Sequence, residues 1–349
     1  MGAQFIFKHA LLGVFFMTIL SSCSSVYYLY QAGRGQLKLL NRARPVNEVI
    51  ADPSTSPDLV DLLKRIPEIK AYGETSGLKP TKNYQDYVKL DQDAVVYVVT
   101  VSDALAFKAK LFKFPIVGSF NYIGWFGLQD AKNFANQFEK EGFDVDVRGA
   151  SAYSTLGWFR DPLLSTMISK TNGRVNPEAF PELVNVFLHE SVHATVYISN
   201  QSYFNESLAS FVAEKLTEKY FNDLHLKRSQ SYLDYASNLA RYEKIRTRFN
   251  QLYQELKKLY ASQASDSDKR SQKEILILAV QQELGFRRKI TNATLIQFET
   301  YHSSSEYFEK LYESTGRDVK KFMDTVSKIK ESDFIHPQEE NFKVALKKL

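Results

Sequence analysis

Cysteine is almost absent from this 349-residue sequence, in which Cys23 is the only one. A single thiol excludes any intramolecular disulfide and any cysteine-rich metal cluster, so a bound metal must rely on histidines and carboxylates. Long hydrophobic runs are missing as well: the apolar stretch from Ala10 to Leu20 is too short for a membrane-spanning helix, which needs about 20 apolar residues. Charge of one sign is not concentrated either. The 45 basic and 40 acidic residues leave a formal charge of +5 without a basic run of the kind that grips nucleic acid. No nucleic-acid partner is expected, while an anionic membrane surface would suit the mild excess. Internal repeats and low-complexity segments are also absent. What is present, 44% hydrophobic and 13% aromatic residues, excludes disorder and supplies a core for one large domain or two modest ones.

The first residues have the form of a targeting segment. Lys8 precedes the Ala10 to Leu20 run, whose length fits the apolar region of a signal peptide, and Leu20-Ser21-Ser22-Cys23 closes it. Small residues before a cysteine resemble the lipobox of bacterial lipoproteins. The resemblance implies removal of residues 1–22, lipidation of Cys23, and a soluble remainder tethered by acyl chains. Ser24, where inner-membrane retention would place aspartate, implies the outer membrane, facing the periplasm. The alternative is a general secretory signal with an incidental cysteine.

Apolar periodicity then organises the chain. Tyr27 to Gln36 is too aromatic for a tether and begins the folded part. Leu59, Leu62, Leu63, Ile66 and Ile69 recur at helical spacing behind Ser56 as a cap and Pro57 at the first turn, with Pro67 expected to kink or split the helix. Ala94 to Val101 reads as a strand buried on both faces. Phe114 to Gly118 and Tyr122 to Phe126 suggest short strands and turns. Leu128, Ala131, Phe134, Ala135 and Phe138 mark an amphipathic helix. Phe143 to Val147 alternates as a half-exposed strand would, with Gly149 to Phe159 continuing into another. Asn176 to Tyr220 reads as two helices. Leu239 through Leu259 step by three or four along a long helix, and a polar break at Ser262 to Ser267 turns it into an antiparallel hairpin reaching Leu284. The remaining tail is mostly helical. The expected fold is α+β, mainly helical, with a small β-sheet and a C-terminal helical region. The expected segments are 1–22 as signal, 23–90 mostly helical, 91–222 carrying the αβ layer and the site helices, and 223–349 helical.

The chemistry concentrates in His189-Glu190-Ser191-Val192-His193. Two histidines four residues apart project from one face of a helix and can share a cation about 2.0 to 2.1 Å from each. Glu190, about 100° around the helix axis, sits where a carboxylate can handle a proton of bound water. Such a pentapeptide arises by chance in well under about 1% of chains of this composition. It lies in the hydrophobic run Phe187 to Val196, so the imidazoles point into the protein, where neutral histidines need partners. A hydrolytic zinc uses three protein ligands and keeps one position open. Glu206, on the following helix beside Ala209 and Ser210, is the favoured third ligand, and Glu214, two turns on, is the competitor. With Zn2+ held by His189, His193 and Glu206, its water becomes acidic and Glu190 can take the proton, later delivering it to the leaving amine. Tyr153, Tyr301 and His302 are candidates for stabilising the oxyanion, with Tyr301 first.

These residues resemble a family. His189-Glu190-x-x-His193 followed by Asn205-Glu206-x-x-Ala209 resembles the gluzincin metallopeptidases. Tyr28-x-x-Gln31-Ala32-x-x-Gly35-Gln36, the block Ala152 to Pro162 and Phe204-Asn205-Glu206 resemble the bacterial lipoprotein family of predicted zinc aminopeptidases. The resemblance implies a gluzincin-like zinc-helix core, a peptide substrate, and an edge strand at Tyr153, Ser154, Thr155, Leu156 and Gly157 that pairs with the extended peptide. Two departures stand out. His193 and Glu206 lie closer together than in the large aminopeptidases, and no Gly-x-Met-Glu-Asn segment is present to bind a free amine. Lys113 and Ser119 stand where cysteines often flank the Phe-Pro-Ile block in that family. The competing readings are an endopeptidase and a non-catalytic envelope lipoprotein that keeps zinc for an interaction fold. The intact Glu190 favours an enzyme. Protein partners cannot be named from the sequence.

Overall fold

The computed structural model describes residues 27–346 except 115–117, 156–158 and 303–304, with the side chains of 301, 302 and 305 also outside the description. Residues 27–42 form helix α1. Next come β1 (Arg44–Pro45), α2 (Val46–Ala51), α3 (Pro57–Thr75), β2 (Asp86–Val88), β3 (Val96–Ser102), β4 (Phe112–Phe114), β5 (Gly118–Phe120), β6 (Ile123–Trp125), α4 (Leu128–Lys140) and β7 (Asp144–Ala150). After β8 (Leu163–Leu164), β9 (Lys170–Thr171) and β10 (Arg174–Val175), the chain is helical: α5 (Ala179–Thr195), α6 (Ser202–Asp223), α7 (Gln230–Ala261), α8 (Asp266–Leu284), α9 (Asn292–His302), α10 (Ser305–Ser314), α11 (Val319–Val326) and α12 (Lys343–Leu346). The fold is α+β and mainly helical, as the sequence predicts.

Three antiparallel strands in the order β6-β3-β7 make the central sheet, with Val99 opposite both Ile123 and Val147. β3 is covered on both faces, by α4 on one side and α9 on the other. On the α4 side, Val99, Val101, Val145, Ile123 and Trp125 close over Ala131 and Ala135, an apolar layer as the alternation demands. The other face is polar yet enclosed. Asp146 accepts from Thr294 Oγ1 at 3.1 Å and pairs with Arg288 at 2.8 Å, and Gln297 bridges Thr100 and Arg148. Asp144 accepts from the Asn292 backbone N–H at 2.7 Å, at the N-terminus of α9. The strand expected to be half-exposed at 143–147 is therefore covered on both faces, because its acids meet donors on α9 and its approach in place of water.

α3 runs unbroken through Pro67, since buried Leu62, Leu63, Ile66 and Ile69 hold both sides of the proline in the core, where α3 packs on α5. Pro57 takes the first position as expected; Ser56 precedes it but makes no side-chain cap bond. The main core gathers Leu63 and Ile69 of α3, Leu183 and Leu188 of α5, Phe204 and Leu216 of α6, and Phe308, Phe322 and Phe342 from the tail. The α7–α8 hairpin has its own cluster around Phe249, Leu252, Leu256, Ile277 and Val280. α8 stops at Gly285, whose φ of 59° suits a residue without a side chain. Among described helices, none is long and apolar enough to cross a membrane.

Candidate metal centre

α5 and α6 pack along one another, joined by the short loop 196–201. On α5, Leu183, Val184, Phe187, Leu188 and Val192 are buried, which turns the face bearing His189 and His193 toward α6. Within the two helices one side chain ties the loop: Asn205 Oδ1 accepts from the Ile198 backbone N–H at 2.9 Å, and its Nδ2 donates to the Ile198 carbonyl at 2.7 Å. This two-way amide pairing fastens the first turn of α6 to the exit of α5. The residue after Asn205 is Glu206.

The consequence is a triangle. His189 Nε2 and His193 Nε2 lie 3.2 Å apart, and Glu206 Oε2 lies 3.3 Å from the first and 3.4 Å from the second. For a tetrahedral cation with bonds of about 2.0–2.1 Å, ligand atoms are separated by about 3.3–3.4 Å. The three donors thus have the spacing of one face of such a tetrahedron. Three electron-rich atoms aimed at one point need a positive charge between them, and this group can hold a metal ion. Glu214, the competing ligand, stands exposed and outside the triangle.

The other oxygen of Glu206 is also engaged. Tyr122 donates its hydroxyl to Oε1 at 2.9 Å, so Oε2 alone faces the histidines. Tyr122 lies just before β6 and carries no mark in a sequence with 20 tyrosines. Burial opposes ionisation of Glu206, yet His193 and His189 hold its carboxyl well below the usual range. Burial likewise opposes charge on His193, but the Glu206 carboxylate outweighs it and raises the imidazole. Burial pushes Glu190 upward, with Glu206 and Asp161 adding to it against the two histidines. Glu190 is thus a buried carboxyl beside the triangle with an enhanced hold on a proton.

Behind Glu190 lies a buried network that the sequence indicates only as part of a motif. Asp161 accepts from the Thr155 backbone N–H at 3.0 Å and from Thr155 Oγ1 at 2.6 Å, and Asn83 Nδ2 donates to it at 3.4 Å. In return the side-chain oxygen of Asn83 accepts from the Asp161 N–H at 3.1 Å, and the Tyr84 N–H donates to the Asp161 carbonyl at 2.7 Å. Tyr84 takes a φ of 65° to do so and tilts its ring against Phe187 at 4.3 Å, one residue before Leu188 and two before the first histidine.

This network corrects the expected substrate strand. β7 ends at Ala150, and residues 151–155 form a loop instead of a strand, because Asp161 draws the Thr155 backbone and hydroxyl toward itself. Tyr153, Ser154 and Thr155 belong to this loop; Leu156 and Gly157 lie outside the described residues. The Tyr153 ring meets Phe126 edge-on at 6.0 Å, and its hydroxyl is buried without a hydrogen-bond partner among the described residues. Tyr301 and His302 end α9, with side chains outside the description. Just before them, the Thr300 carbonyl accepts from Ser207 Oγ at 3.2 Å, which ties that end of α9 to the residue after Glu206. Cys23 lies outside the described residues.

The model of one protein family matches residues 27–341 and carries the description "Putative aminopeptidase". No curated protein and no solved structure matches the chain.

Proposed function

The chain belongs to that aminopeptidase family, and we propose that it is a zinc-dependent peptidase of gluzincin type, held in the bacterial envelope through a lipidated Cys23. The observation that carries the reading is the triangle of His189, His193 and Glu206, whose edges of 3.2, 3.3 and 3.4 Å match one face of a tetrahedral zinc site. The donor set is borderline to hard, two imidazoles and a carboxylate, which suits zinc. Bound there, the ion would polarise the scissile carbonyl and acidify a water.

The chain's own groups do the remaining work. Glu190 accepts the water's proton and returns it to the leaving amine, a role favoured by a carboxyl whose burial strengthens its hold on protons. Tyr122 keeps Glu206 turned so that Oε2 faces the histidines. Tyr301, at the end of the helix tied to Ser207, is the proposed donor to the oxyanion. Tyr153 to Gly157 is the proposed peptide-binding stretch, in which Thr155 is held by Asp161. The Cys23 anchor and the outer-membrane address rest on the lipobox resemblance.

The test uses the chain from Ser24 onward, which retains every residue of the three buried clusters. Zinc content near one per chain and cleavage of a mixed peptide library are expected, with Glu190→Gln keeping the metal and losing at least about 100-fold in rate. Zinc bound with no cleavage by the unaltered chain would support the alternative, an interaction fold that keeps its metal. Acetylating the peptides' N-termini separates the two enzyme readings: an aminopeptidase loses its substrates, an endopeptidase keeps them.

A further inference from the structure

α1 has two faces of different character. Its inner face grips the sheet: Tyr28 packs edge-on against Trp125 at 5.5 Å and tilts on Phe114 at 5.2 Å, and Gln31 accepts from the Phe126 N–H at 3.2 Å while donating to the Gly124 carbonyl at 3.4 Å. Gly35 lies so close to the Phe126 ring that a Cβ would sit 2.2 Å from it, and Leu39 is buried. The outer face carries Leu29, Tyr30 and Leu37, which are 56%, 60% and 61% exposed, with Arg34 and Lys38 exposed beside them. A solvated helix face ordinarily carries charges of both signs, and bare leucines on it call for a reason.

Residues 27–42 hold three cations, Arg34, Lys38 and Arg42, and no carboxylate. The described carboxylates that bond to the helix are engaged elsewhere on it: Asp91 pairs with Arg42 at 3.0 Å, and Asp130 accepts from the Tyr27 hydroxyl at 3.2 Å. Leucine and tyrosine flanked by exposed lysine and arginine are the composition of a helix that lies in a lipid interface, with apolar side chains at acyl depth and cations at the phosphates. We propose that the outer face of α1 docks on an anionic phospholipid surface. The occupant is a bilayer and not a protein because the charge on the helix is of one sign, complementary to phosphates, and exposed apolar residues are spread along its length from Leu29 to Leu37. Such docking would lay the folded part against the membrane in one orientation in place of letting it swing on a tether. The proposal deepens the envelope reading but is independent of lipidation.

The experiment therefore uses the chain from Ser24 onward, which lacks Cys23. Cosedimentation with phosphatidylcholine vesicles, with and without phosphatidylglycerol, should show binding to the anionic vesicles that weakens with salt. Arg34→Gln with Lys38→Gln should lower that binding about thirtyfold. Leu29→Ser with Leu37→Ser should lower it about tenfold with unchanged circular dichroism. Equal binding to both vesicle types, or no binding to either, would overturn the proposal. So would self-association in sedimentation equilibrium that Leu37→Ser abolishes, since the face would then belong to a second copy. Absence of a lipid mass on Cys23 in the full-length protein would sink the anchor while leaving these outcomes unaffected.

Discussion

Tyr122→Phe removes one oxygen atom and isolates what the tyrosine does for the metal centre. In the folded chain that hydroxyl donates to Glu206 Oε1 at 2.9 Å, and the Glu206 carboxyl is buried and held ionised by its neighbours. A hydrogen bond to a charged group contributes about 1.5–3 kcal/mol. Tyr122 is only half-buried, so water can partly replace it and the lower end applies. The loss falls on metal binding because the bond decides which carboxylate oxygen faces His189 and His193. About 1.5 kcal/mol corresponds to a roughly 10-fold weaker zinc affinity, at the lower edge of the 10- to 100-fold range for groups that orient metal ligands. The assay is competition with a chromophoric zinc chelator, using metal-stripped protein, with the urea midpoint of the stripped protein measured in parallel. Affinity should fall while the midpoint moves little. Unchanged affinity in Tyr122→Phe, beside abolished binding in His193→Ala, would refute the argument that Tyr122 sets the ligand geometry.

Stripping the metal with EDTA should lower the melting temperature, and zinc at 100 times its dissociation constant should restore about 2.7 kcal/mol of stability, read by calorimetry as a zinc-dependent midpoint. Asp161→Ala leaves the Thr155 N–H and the buried Asn83 amide without their acceptor, at about 1–3 kcal/mol each, and should lower the urea midpoint accordingly while the metal stays bound. Gly35→Ala forces a methyl toward the Phe126 ring and should cost about 1–3 kcal/mol. Limited proteolysis should then release α1 from the sheet before the helical core opens.

The parts of the fold that are legible in sequence are those set by neighbours in the chain. The apolar steps from Leu239 to Leu259 lie along α7, the nearly continuous β-branched run at 94–101 contains most of β3, and the spacing of His189 and His193 puts both rings on one face of α5. Glu206 is readable for the same reason, because the loop to α6 is short and Asn205 closes it locally. Sequence alone does not supply contacts whose partners are far apart. Asp144 and Asp146 look like a solvent face until α9, some 148 residues on, supplies Asn292 and Thr294. Tyr122 is 84 residues from Glu206, and nothing in its own neighbourhood distinguishes it. The Thr155 loop reads as a strand because its composition is apolar and aromatic; Asp161, six residues later, overrides that preference by accepting its backbone N–H.

Long-range contacts also explain why the tail matters to the centre. Gln201 precedes α6 and makes no cap bond of its own; the Ser202 N–H donates instead to Gln338 Oε1 at 3.0 Å, and Gln338 Nε2 donates to the Ser119 carbonyl at 2.6 Å. Gln201 in turn donates to the His336 carbonyl at 2.9 Å and accepts from the Glu339 N–H at 3.0 Å. Asn200, at a φ of 62°, accepts from the Ser119 N–H at 2.7 Å and donates to Glu331. Residues 331–339 and the β5 region therefore clamp the loop between the two histidines and Glu206 from both sides. A buried carboxylate fixed between imidazoles needs a start of α6 that does not fray, since the first turns of a helix leave their N–H groups unpaired. Glu206 is the fifth residue of α6, next to that vulnerable stretch. The C-terminal segment thus bears on the candidate metal centre by holding the helix that carries Glu206.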